Sequence, residues 1–214
     1  MRSLVLSIVG LGFGLAASTA MATSIQPTAC DMPNGNTGAF NYWDESYGGT
    51  GATGNPLVDG SPLAGGLGDL TDGFISNQRW SPAESPAGPG PYVGWVNVNP
   101  IITFHFAPTP TITSITLHLA DDDGSGGVDN PSAVIIDGTN YNVLEPAGAD
   151  PFAFTVGGLA ITKSSFDIQL IRQNAWTFMS EVEFDATVPL PAPVFMLGGA
   201  LAAMGIAGRA RRRG

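Results

Sequence analysis

The chain has 214 residues, enough for one sizeable domain or two small ones. Gly (29) and Pro (17) are abundant and charged residues make up only 12%, a composition that favours strands and turns over long helices. Between residues 23 and 188 the only cations are Arg79, Lys163 and Arg172 against all 18 acids, about −15. Such a body repels nucleic acid phosphates and leaves divalent cations and uncharged glycans as fitting partners; the acidity also serves simple solubility.

In chain order, Arg2 precedes an uncharged, largely apolar run from Leu4 to Ala17, followed by Ala20-Met21-Ala22. A basic start, a short apolar core and a small-x-small site predict a cleaved secretory signal over residues 1–22, removed by signal peptidase. The run is too short to span a bilayer comfortably. Cys30 is the single cysteine, so no internal disulfide is possible; it is an incidental thiol or a partner for another molecule.

Residues 23–64 read as a loop-rich first part of a β domain, with Gly, Asn and Thr around Tyr42, Trp43 and Tyr47. Strand signals follow from Leu70. Ile102, Phe104 and Phe106 alternate on one face, as do Ile115, Leu117 and Leu119, with His105, Thr116 and His118 on the polar parity. Val134-Ile135-Ile136 runs into a turn at Asp137-Gly138-Thr139-Asn140 and returns through Tyr141 and Val143. Phe152, Phe154 and Val156 repeat the pattern, then Phe166, Ile168 and Leu170. In the last strand Trp176, Phe178, Ser180, Val182 and Phe184 take one parity and Glu181, Glu183 and Asp185 the other. Period-two segments with turns between them predict an all-β antiparallel sandwich over residues 65–186.

The order Leu70-Thr71-Asp72-Gly73, Trp80, the strand at Ile101 to Phe106, the strand at Ile115 to Leu119 and the closing Ser180-Glu181-Val182-Glu183-Phe184 resembles the galactose-binding-like (discoidin) jelly rolls. The resemblance implies a structural calcium held by the early Asp-Gly loop and a late Glu. Carried over by position, the ligands are Asp72 and Glu181, with Glu183 as substitute and a backbone carbonyl from the Gly60 to Gly73 region. The family's sugar-contacting residues do not map onto clear positions.

Two further constellations have competing readings. Asp121-Asp122-Asp123-Gly124-Ser125-Gly126-Gly127-Val128-Asp129 offers hard oxygen ligands and glycine freedom suited to calcium, but without the EF-hand order; a solvated turn between strands is the favoured reading. Trp80, Tyr92 and Trp95 lie among Pro and Gly, where loop aromatics can stack on sugar rings; Trp95 and Trp176 also suit a sandwich core.

Catalysis finds little support. There is no nucleophile elbow, no His-x-x-x-His pair and no phosphate-binding glycine loop before a helix. Glu181 and Glu183 sit about 7 Å apart along one strand face, a glycosidase-like spacing without a flanking aromatic cleft.

The C-terminus reads Val188-Pro189-Leu190-Pro191-Ala192-Pro193, then an apolar run from Val194 to Ala207, then Arg209, Arg211, Arg212 and Arg213. The prolines stop the preceding fold. The apolar run would extend roughly 21 Å as a helix, short against a hydrocarbon core of about 30 Å, and the arginines stay cytoplasmic by the positive-inside rule. These three features in order resemble the PEP-CTERM sorting signals in their VPLPA variant, covering residues 187–214; the commoner form has Glu where this chain has Leu190. The resemblance implies an inner-membrane intermediate cleaved by an exosortase-type peptidase. The body then goes to the cell surface or matrix of a Gram-negative bacterium that makes exopolysaccharide and biofilm. The expectation from sequence is thus a non-enzymatic surface protein whose sandwich binds polysaccharide. Its rivals are a purely structural surface protein and a secreted glycan hydrolase.

Overall fold

A computed structural model of the protein describes residues 22–84 and 90–187. The signal segment, the sorting motif Val188 to Ala192, the apolar run after it and Arg209 to Arg213 lie outside the described residues. Among the described residues no helix is long and apolar enough to cross a membrane.

Among the described residues eleven strands form two sheets. They are β1 Thr23–Ile25, β2 Ala29–Pro33, β3 Pro62–Gly66, β4 Val93–Val96, β5 Ile101–His105, β6 Thr111–Leu119, β7 Pro131–Ile136, β8 Thr139–Asn142, β9 Phe152–Ile161, β10 Ser165–Arg172 and β11 Trp176–Thr187. One sheet has the order β1-β11-β6-β9, with β4 also paired to β11; the other runs β3-β2-β5-β10-β7-β8. Every strand pairing is antiparallel. β5 to β11 fall where the alternation predicts them. β1 to β3 carry residues 23–66 into both sheets, so the loop-rich first part is built into the sandwich.

The apolar parity of most strands meets the other sheet. In β11 a register shift between Met179 and Glu181 switches it, so Met179, Val182 and Phe184 lie in this core while Trp176 and Phe178, expected on the same face, pack in a separate aromatic cluster. Phe104 of β5 touches Phe184 of β11 edge-to-face at 4.9 Å between ring centroids. Phe106 stacks on Phe166 at 5.7 Å and meets Phe184 at 5.1 Å. Ile102, Ile115, Leu117, Val182 and Leu170 complete this core. Edge-to-face pairs favour the ring quadrupoles and add to the area buried. The turn Asp137-Gly138 joins β7 to β8 with both residues at positive φ, 47° and 80°, the geometry that matches strand twist in a two-residue hairpin.

Leu70, expected to open the strand series, instead lies in a buried 3-10 turn, Asp69–Thr71. Cys30 is buried in the core, and burial together with Asp44 and Asp31 pushes its thiol up to about 12. It is therefore inert and shielded from pairing with another molecule.

Candidate functional site

The segment from Leu67 to Ala83 folds over the outer face of β11 at one end of the sandwich. Its entry is fixed by Gly68: a Cβ there would stand 2.1 Å from the Asp44 carboxylate. Asp44 Oδ1 accepts the Asp69 N–H at 2.9 Å. Ser46 donates to both Asp44 and Asp69. At the far side Gly73, at φ 83°, donates its N–H to Glu181 Oε2 at 2.8 Å. Asp72 closes its own turn by accepting the Phe74 N–H at 2.7 Å.

This covering loop changes the standing of Glu181. Strand parity places it outward beside Glu183, yet it is 1% exposed. A register shift between Met179 and Glu181 also interrupts the ladder with β6 at this point. Glu183 remains on the open sheet surface, where His118 Nε2 lies 2.8 Å from its Oε2. The structure therefore brings Asp72 close to Glu181 and leaves Glu183 outside. It also removes the glycosidase-like pair, because one carboxylate is buried under a loop and the other faces solvent.

Sequence reasoning missed the buried partners of this region. Asp44, Asp69 and Glu84 are buried with Glu181, and each has one carboxylate oxygen without a hydrogen-bond partner among the described residues. Among the described residues none of the four is in an ion pair. Burial, reinforced by Asp69, pushes Asp44 up to about 7. Burial and the Asp72 charge lift Glu181 to about 7, and burial chiefly lifts Glu84 to about 8. Asp69 is raised by burial and by Asp72, against the Ser46 hydrogen bond. Carboxylates in this state hold protons or meet a cation. Their spacing along the chain gives no periodic signal, so only the fold reveals the group.

Beside them opens a cleft of about 520 Å³ lined by Ser46, Asp69, Asp72, Phe74, Ser76, Asn77, Gln78, Ala83, Gly90 and Pro91. Phe74 is 58% exposed. The aromatics expected to serve a ligand are mostly elsewhere. Tyr92 and Trp95 are fully buried: Tyr92 donates its hydroxyl to the Gln78 carbonyl and Trp95 its indole N–H to the Pro33 carbonyl. They are core and cannot stack on a sugar. Trp80 is half-buried, stacked on Phe178 at 6.0 Å, with its N–H given to Asp122 Oδ2 at 3.0 Å. Trp176, expected in the core, is half-buried in the same aromatic cluster. Phe74 is the exposed aromatic the sequence reading passed over; its flanking Asp-Gly turn is the signal that could have placed it on a loop.

Asp31 and His105 line a second, open groove of about 730 Å³, with His105 Nε2 at 2.9 Å from Asp31 Oδ2. Burial raises Asp31, but the Gly65 N–H and His105 outweigh it and hold the carboxyl below its usual range. Among the described residues the groove's hydroxyl is that of Thr50, which is donated to the Ala64 carbonyl and so is not placed to be activated by this pair.

No protein-family model matches the chain, and no curated protein matches it. Among solved structures it is similar to the family 32 carbohydrate-binding module of C. perfringens NanJ, solved in complex with galactose. That likeness has 14% sequence identity and a TM-score of 0.32, covering 55% of this chain and 82% of that one.

Proposed function

We propose that this chain is a non-catalytic, exported surface protein whose jelly-roll sandwich binds extracellular polysaccharide through the cleft beside Phe74. The observation that carries the reading is the pairing of one exposed aromatic with hydroxyl, amide and carboxylate edges in a single cleft. A sugar ring presents an apolar face to an aromatic and hydroxyls to such polar groups, so a few convergent contacts give orientation. Calcium held by Asp72 and Glu181 ties the covering loop to β11 and so fixes the cleft wall. The support for this is Glu181, buried, bonded to Gly73 through one oxygen and free at the other.

The export and sorting reading rests on the sequence of the two ends: a signal over residues 1–22, an exosortase-type peptidase acting near Val188 to Ala192, and the arginine cluster held in the cytoplasm. Mass spectrometry of the natively produced protein tests it. The expected mature body starts at Thr23 and ends near Val188 to Ala192. Intact peptides spanning Pro189 to Arg213 in the mature product would overturn it.

A glycan array on the folded protein tests the binding reading, followed by titration of the best ligand against Phe74→Ala. Binding that drops sharply in the variant, with unfolding temperature unchanged, is the expected result. No glycan bound at all would leave the purely structural surface protein as the better reading.

A further inference from the structure

At the end of the sandwich the chain brings three separated carboxylates together. Asp121 follows the end of β6, Asp123 lies in the loop after it, and Glu145 follows β8. One oxygen from each lies within 4.8 Å of the other two. That limit has a physical meaning: calcium binds oxygen at about 2.3–2.6 Å, so ligands on opposite sides of one ion stand up to roughly 5 Å apart. A single ion can touch all three groups.

Proximity alone is common among surface acids. Here two independent observations go further. Asp121 is 0% exposed, and its Oδ2 has no hydrogen-bond partner; the other oxygen accepts the Asp123 N–H at 3.1 Å. A buried carboxylate that keeps a bare oxygen and converges with two like charges is costly unless a cation completes it. Secondly, none of Asp121, Asp123, Asp129 and Glu145 is in an ion pair among the described residues. The neighbouring Gln173 amide lies 3.3 Å from Glu145 Oε2 and 3.5 Å from Asp129 Oδ1, bridging the acids without neutralising them. Arg172, the adjacent cation, turns its guanidinium to the Asn174 carbonyl at 2.9 Å instead. Arg79 is taken by Asp122 and Asp150.

We infer that Asp121, Asp123 and Glu145 form a calcium site, separate from Asp72 and Glu181, which clamps the β6–β7 and β8–β9 connections together at this end of the sandwich. The ligands are all hard oxygens, which excludes the soft transition metals as preferred occupants. They come from two distant stretches of chain with no regular geometry, which suits calcium rather than the strict octahedron of magnesium. Asp129, through Gln173, holds Glu145 in place and adds charge nearby. Asp123 sits at φ 48°, a conformation that Asp and Asn adopt readily, so the ligand can be neutralised there without disturbing the backbone.

The test counts bound calcium by equilibrium dialysis on the full chain, comparing the protein with the double variant Asp123→Asn/Glu145→Gln and, separately, Asp72→Ala. Both substituted side chains of the double variant are exposed, so its unfolding temperature in chelator should match the parent and exclude unfolding as the cause. The expected result is one calcium fewer in the double variant, with that same ion retained in Asp72→Ala. An unchanged calcium count in the double variant overturns the site, as does a parent protein that binds no calcium. Loss of calcium in Asp72→Ala alone overturns this site while supporting the other.

Discussion

Glu84→Gln isolates one of the buried carboxyls and predicts a pH-dependent gain in stability. Glu84 follows the helical turn Trp80–Ala83, and its Oε1 accepts the Tyr92 N–H at 3.0 Å. Its Oε2 has no partner, and a Cβ at Gly90 would fall 1.7 Å from it, so the backbone closes directly over the group. Burial, outweighing the Tyr92 hydrogen bond, raises the carboxyl from 4.5 to about 8. Its folded pKa exceeds the unfolded one, so the folded state binds the extra proton. Stability is fully present below about pH 4.5 and declines as pH rises towards 8. At pH 7 the cost spans about 2.5 units at 1.36 kcal/mol each, on the order of 3 kcal/mol. Glutamine mimics the protonated acid and removes that cost. The variant should match the parent at pH 4.5 and exceed it by roughly 3 kcal/mol at pH 7, about 6–12 °C in unfolding midpoint for a domain of this size. Asp44 and Glu181 titrate in the same direction, so the difference between variant and parent is the quantity to read. Thermal unfolding from pH 4.5 to 8 in chelator measures it. Equal midpoints at every pH would mean that Glu84 is hydrated in the folded state, and the argument from burial fails.

Calcium at 100 times its dissociation constant should raise the stability of the folded protein by roughly 2.7 kcal/mol per site, and Asp72→Ala should abolish the part owed to Asp72 and Glu181; an unchanged midpoint with and without chelator refutes the structural ion. Trp95→Ala should cost about 3–5 kcal/mol in denaturant unfolding, since it empties a core position and orphans the Pro33 carbonyl, while Phe74→Ala should stay within about 0.5 kcal/mol of the parent as an exposed change. The reverse order would restore Trp95 as a surface residue.

What the sequence could and could not disclose follows from the range of each signal. Alternation is local, so β5 to β11 are legible from Ile102, Leu117, Ile136, Phe166 and Val182, and the Asp137-Gly138 turn follows from residue type alone. β1 to β3 are short and rich in Gly, Pro and Thr, and they are strands because β11 pairs with β1, β5 with β2, and β2 in turn with β3. Sequence alternation correctly gave Glu181 its parity and still misjudged its environment, because a loop more than a hundred residues earlier lies over that face. Tyr92 and Trp95 read as loop aromatics among Pro and Gly. Pairing of β4 with β11 takes them inside, where Trp95 opposes Thr177.

The same non-locality explains the acids. A net charge of about −15 over the body says only that carboxylates outnumber cations. Placement decides what that means. Most exposed acids repel one another weakly through water and need no partner. Asp44, Asp121 and Glu181 are instead held in covered positions by backbone N–H groups whose hydrogen bonds they accept, and Asp69 by the Ser46 hydroxyl. Each hydrogen bond uses one oxygen and leaves the second bare. A hydrophobic replacement would forfeit those contacts, and beside Gly68 the space around the Asp44 carboxylate is too tight for a longer side chain. A small divalent ion, proposed above for both places, would satisfy several bare oxygens at once and occupy little space. Without it the carboxyls at the two clusters keep their charge low by holding protons, so calcium and acid compete for the same oxygens.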